Sequence, residues 1–144
     1  MAAERRASAV WEGDLASGSG TVALASGAAP ELPVTWKART SSNGQTSPEE
    51  LIAGAHAACL SMALSAGLSG AGNPPERLEV EATCTFGEAD GGFKVQSMHL
   101  AVRGRVPGID GDAFRQAVED AKDGCPVSGA LKGNVDISVE AALD

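Results

Sequence analysis

Hydrophobic and polar positions change period several times along the chain, and each change marks an element. Leu78, Val80, Ala82, Cys84 and Phe86 alternate with Glu79, Glu81, Thr83 and Thr85, the period of a strand with one buried face. Residues 134–142 repeat the pattern, with Val135, Ile137, Val139 and Ala141 on one side. Residues 93–106 read as a long strand with Met98, Leu100 and Val102 sharing a face and a phase slip near 95–97 that predicts a bulge. Gly91-Gly92 predicts the turn before it. Nearer the N-terminus, residues 7–12, 21–26 and 32–37 are short strand patterns separated by Gly, Ala and Pro, and 39–46 reads as a loop.

From Ser47 to Gly70 the period becomes helical. Ser47 is an N-cap, Pro48 fits the first helical position and Glu50 completes a capping box, which leaves Glu49 free. Leu51, Ile52, Ala55, Cys59, Met62, Ala63 and Ala66 recur at the spacing of one face. No Asp, Glu, Lys or Arg occurs from Leu51 to Pro75. At about 1.5 Å per residue the helix is as long as a small domain is wide, so the pattern predicts a central helix enclosed by protein. Gly54, His56, Ser61, Ser65, Gly67 and Ser69 make it too polar and too rich in small residues for a membrane span. The small residues also admit close approach by another helix or a sheet, which points to a second copy of the chain.

Asp110 caps a further helix whose face is Phe114, Ala117, Val118 and Ala121, ending at Asp123-Gly124, and Pro126 opens another short one. The order is βββ, long α, ββ, α, short α, β. That is the α+β class rather than a βαβ repeat, and the expectation is a single domain over residues 1–144.

Composition narrows the function. A formal net charge of −8 and a pI near 4.7 exclude nucleic acid and an anionic membrane surface as partners, since both require a basic footprint. The first residues lead straight into a strand pattern without an apolar leader, so a cytoplasmic location is expected. In that compartment three cysteines do not make a disulfide framework. Metal binding, redox catalysis or plain burial remain. There is no CxxC and the two histidines are far apart in sequence, so a zinc site has little support.

Each chemically interesting residue has a plain alternative. Cys59 fits an inert core thiol as well as a reactive one. Cys125 stands at a predicted helix N-terminus, where unpaired N–H groups favour a thiolate, though a Gly-Cys-Pro turn also accepts a cysteine without chemistry. Cys84 falls on the buried face of its strand. A thiol in mid-helix gains little from the dipole and needs a fixed cation to ionise, and Arg39 is a candidate. Glu49 either favours the first helical turn electrostatically or holds that arginine. Ten helical residues put Glu49 and Cys59 about 15 Å apart along one axis, so a shared site would draw them from different subunits. His56, one turn before Cys59, is a base or a packed residue; His99 has no evident partner and no assigned role.

Taken together, these segments resemble the osmotically inducible protein C family, the OsmC/Ohr peroxidases, and its OsmC branch in particular. The matching pieces are WEGDL (11–15), GSGTV (18–22), SPEELIAGAHAACLSMALS (47–65), VPGID (106–110) and GCPVS (124–128), in the family's order. The resemblance implies thiol-dependent reduction of organic hydroperoxides without haem, flavin or metal. It also implies an intertwined homodimer with two active sites at the subunit interface. By motif, Cys59 becomes the peroxidatic thiol, Cys125 the resolving thiol, and Arg39 and Glu49 the polar pair beside Cys59. The Cys59 thiolate would take the distal peroxide oxygen as a sulfenic acid, Cys125 would close a disulfide, and an external dithiol, lipoyl-type by family likeness, would reopen it. Ile52, Ala55 and Met62 would line the site for alkyl or acyl peroxides. The rival expectation is a non-catalytic dimeric small-molecule binder or a cysteine-pair redox sensor, and turnover separates these from the enzyme.

Overall fold

Glycine and proline punctuation cuts the N-terminal third into three short strands, Ala7–Glu12 (β1), Ser19–Leu24 (β2) and Leu32–Val34 (β3). In the computed structural model, which describes residues 1–144, they pair antiparallel in the order β1-β2-β3. This sheet belongs to the first of two compact units, residues 1–51, and the second is residues 52–144. The strand pattern predicted over 32–37 stops at Val34. Thr35 takes the N-cap instead, its Oγ1 accepting from the Ala38 N–H at 3.2 Å, and Trp36–Thr40 (α1) is a short helix. Arg39 therefore sits on a helix rather than in the expected loop. The chain then returns beside β3: Thr46 bridges Val34 in parallel and donates its N–H to Pro33 O at 3.0 Å.

The next helix, Pro48–Gly70 (α2), starts as its caps dictate. Ser47 Oγ accepts from the Glu50 N–H at 3.1 Å, but the Glu50 carboxylate takes the Thr46 hydroxyl at 3.2 Å, so only half of the predicted capping box forms. Within the second unit the buried stripe of α2 is Ala53, His56, Leu60, Leu64 and Leu68. The predicted face is displaced: Ile52, Cys59 and Ala63 are partly buried, whereas Ala55 and Ala66 are exposed and Met62 is 71% exposed. The cause is size. A helix apolar on all sides turns its largest side chains inward, and three leucines at four-residue spacing outweigh the alanines. By length and composition α2 is apolar enough to cross a membrane (mean hydropathy 1.6), and 22% of that window is buried within the chain.

Alternation builds the second sheet from Arg77–Ala89 (β4), Gly92–Arg105 (β5) and Asp136–Leu143 (β6), with β4 antiparallel and β6 parallel to the central β5. The β4–β5 hairpin turns on Asp90-Gly91, at φ 53° and 82°, the two positive values of a type I′ turn, one residue earlier than predicted. The phase slip is a bulge at Gln96: Thr85 pairs Ser97, but Phe86 pairs Val95. Asp110 caps Gly111–Gly124 (α3), its Oδ1 accepting from the Ala113 N–H at 2.8 Å, and Phe114, Val118 and Ala121 are buried as predicted. Gly124 ends α3 in helical conformation without the expected left-handed residue. Cys125 then caps Pro126–Leu131 (α4). The leucines of α2, Met98, Leu100 and Val102 of β5, and Phe114 and Val118 of α3 form one core, and Cys125 is part of it.

Candidate active site

The second unit brings together two thiols that are remote in the chain. Cys59 lies one turn after His56 on α2, and Cys125 closes α3 and caps α4. Both belong to one packed cluster, near enough for each sulfur to shift the other's ionisation, and neither is in a disulfide. Their exposure differs: Cys59 is half-buried, whereas Cys125 is 1% exposed.

Their electrostatics differ as well. Burial pushes the Cys125 thiol up, but the Ser128 N–H, the Cys59 thiol, the Ser128 hydroxyl and the Val127 N–H outweigh it, and Cys125 lies below the ordinary thiol value. These N–H groups are the unpaired donors at the start of α4. Burial pushes Cys59 up; the Val127 N–H works the other way, and the Cys125 sulfur pushes it up further. Within one chain the two thiols are therefore shifted in opposite directions, Cys125 down and Cys59 up. The downward shift of Cys125 is the direction that a helix N-terminus favours, while Cys59, in mid-helix, gains nothing comparable from the dipole.

Behind the pair, His56 Nε2 is 2.7 Å from Ser128 Oγ. His56 is fully buried, and burial lowers its pKa, which keeps the ring neutral. Of its two predicted readings, base or packed residue, the structure gives a packed imidazole with one polar partner. Cys84 is half-buried on the inner face of β4 opposite Met98, as its alternation predicted. His99 does have partners. Its Nδ1 is 2.8 Å from Ser138 Oγ and its Nε2 is 3.7 Å from Glu140 Oε1, on an exposed part of the sheet.

In the first unit, Arg39 and Glu49 meet. Arg39 Nη2 donates to Glu49 Oε1 at 2.6 Å and Nε lies 3.1 and 3.2 Å from the two carboxylate oxygens. The Glu49 side chain is 8% exposed and that of Arg39 30%. The guanidinium carbon stands 5.6 Å from the centre of the Trp36 ring, one turn back on α1. Trp36 and Ser128 are the neighbours that sequence reasoning missed. Each has a local signal, a position one turn from Arg39 and from Cys125 respectively. No three His, Cys, Asp or Glu side chains are grouped as metal ligands.

Residues 41–140 match the family model described as OsmC-like protein. The chain belongs to this family. It is 39% identical over 140 residues to the peroxiredoxin OsmC of Escherichia coli, covering 97% of this chain and 98% of the relative. It is 31% identical over 98 residues to an organic hydroperoxide resistance protein of Xanthomonas axonopodis, about two thirds of each (67% and 67%). Among solved structures, the organic hydroperoxide resistance protein OhrB of Bacillus subtilis superposes with a TM-score of 0.76 at 27% identity, covering 95% of this chain and 98% of that one. The sequence match to the OsmC runs nearly the full length, and that to the Xanthomonas protein two thirds of it. The segment matched by the family model holds Glu49, Cys59 and Cys125, while Arg39 falls just before it.

Proposed function

We propose that the chain is a thiol-dependent peroxidase that reduces organic hydroperoxides to alcohols. The observation that carries this is the gathering of Cys59 and Cys125 in one cluster with unequal exposure: a peroxide reaches the first and not the second. The relatives named peroxiredoxin and organic hydroperoxide resistance protein support the same class of reaction.

In this reading the Cys59 thiolate attacks the distal peroxide oxygen, the O–O bond breaks, and the leaving alkoxide takes a proton to become the alcohol. Cys59 is left as a sulfenic acid. Cys125 then supplies the electron pair of a new S–S bond, the S–O bond of the sulfenic acid breaks, and hydroxide leaves as water. An external dithiol of lipoyl type regenerates both thiols by exchange. No haem, flavin or metal takes part in these steps.

Because burial pushes the Cys59 thiol up, the first step needs a cation near it. Arg39, oriented by Glu49, supplies it from a second copy of the chain. A homodimer also covers the outer stripe of α2, where Ala55, Ala58, Met62 and Ala66 are exposed. The enzyme works in the cytoplasm, and its acidic surface does not engage nucleic acid or membrane.

The test is turnover of cumene hydroperoxide with a dithiol present. Cys59→Ser abolishes it, and Cys125→Ser accumulates a sulfenic acid at Cys59 that a dimedone-type probe labels. Labelling of Cys125 in the first variant and of nothing in the second reverses the two roles. A redox sensor built on the same pair would stop after a single equivalent of peroxide even with dithiol in excess.

A further inference from the structure

Ser128 stands between two groups that both need it. Its hydroxyl has one proton and His56 Nε2 at 2.7 Å, and it sits in the first turn of the helix that Cys125 caps, where it favours the ionised form of that sulfur. When the proton points at the sulfur, Oγ can meet Nε2 only as an acceptor, so the neutral ring carries its hydrogen on Nε2. This tautomer leaves Nδ1 a bare lone pair, and Nδ1 is buried without a hydrogen-bond partner. The opposite tautomer would bury an N–H with nothing to donate to, the rarer and costlier fault.

We infer that His56 is a positioning residue for the resolving step: its Nε2–H fixes the Ser128 hydroxyl so that its proton is turned to Cys125 Sγ for the attack on Cys59. The inference rests on the roles of Cys59 and Cys125 proposed above. The attacking species in disulfide closure is the thiolate, and His56 and Ser128, at 0% and 5% exposure, are shielded from water that would compete for the hydroxyl. In the step itself the Cys125 electron pair forms the S–S bond, the Cys59 S–O bond breaks and the hydroxide is protonated by solvent. The donor chain gives up no proton; it only orients one.

The test follows a single equivalent of cumene hydroperoxide through the full-length protein, timing sulfenic acid by probe labelling and disulfide by thiol loss. In His56→Leu and Ser128→Ala, sulfenic acid appears no more slowly than in the native protein and closes about 10- to 100-fold more slowly, the loss expected for one hydrogen bond to a charged group. Ser128→Thr and His56→Gln, which keep a donor at each position, return closure to within a few-fold of native. In a Cys59→Ser background, the pH midpoint of the Cys125 thiolate absorbance rises when His56→Leu is added. Native-rate closure in both His56→Leu and Ser128→Ala overturns the inference. So does equal slowing by His56→Leu and His56→Gln, which would mean packing alone. Sulfenic acid on Cys125 in the native protein instead overturns the role assignment, a separate readout.

Discussion

The Phe114 ring lies against the backbone of Gly104, so close that a Cβ on residue 104 would stand 2.5 Å from Cζ and 2.6 Å from Cε1. The ring is fully buried in the core, so it has no free space to retreat into. This contact seats α3 on β5, and α3 ends at Cys125. Gly104→Ala should therefore destabilise the protein by about 1–3 kcal/mol, the usual cost of overpacking. A denaturant midpoint equal to that of the native protein would show that the ring moves freely.

Replacing either member of the Arg39–Glu49 fork separates charge from geometry. Arg39→Lys keeps the cation but loses the two-point contact with the carboxylate. Sulfenic acid formation at Cys59 should slow by about 10-fold or more, one charge-assisted hydrogen bond's worth. Arg39→Ala removes the charge as well and strands a carboxylate whose side chain is 8% exposed. Since the guanidinium is itself 30% exposed, the stability loss should stay near about 1–2 kcal/mol. Rapid-mixing kinetics on Arg39→Lys decides the first point: a native rate there removes the arginine from the peroxide step.

Acid should weaken the fold through His56. Its ordinary value is 6.5, and burial lowers it. As pH falls below 6.5 the unfolded chain takes up a proton that the folded chain refuses, so the contribution present above that value is progressively lost, with a slope of up to about 1.4 kcal/mol per pH unit. Above it the curve is flat. Chemical denaturation between the histidine range and the onset of carboxylate protonation, about pH 5, should show this slope in the native protein and its disappearance in His56→Gln. An unchanged slope in that variant would place the titrating group elsewhere.

Much of this was legible in the sequence, and for identifiable reasons. β4, β6 and α3 read correctly because each has one buried and one solvated face, which writes a clear period, and Gln96 announced its bulge by breaking that period. The turn moved by one residue because Asp90 tolerates the positive φ that Gly91-Gly92 was expected to supply. α1 escaped because five residues are too few for periodicity, and a single threonine cap decides its conformation. The buried face of α2 was misread because a helix apolar all round carries almost no phase information. Family likeness singled out Cys59, Cys125, Arg39 and Glu49. The link from His56 through Ser128 joins residues remote in the chain, so only the fold reveals it.

The last prediction concerns which chain supplies the cation. The outer stripe of α2, with Met62 71% exposed, invites a second copy, and helical spacing in the sequence argues that Glu49 and Cys59 serve one site from different subunits. Arg39→Ala and Cys59→Ser proteins should each be inactive alone, but in a mixed dimer the first contributes an intact Cys59 and the second an intact Arg39. Random reassociation from equal amounts makes half the dimers mixed, each with one competent site of two, so about a quarter of native turnover should return. Adding Met62→Glu to both partners should abolish this rescue and shift sedimentation to the monomer, because a carboxylate buried in an apolar interface without a partner is costly. If the dimers exchange subunits and the mixture stays inactive, the arginine acts on the cysteine of its own chain.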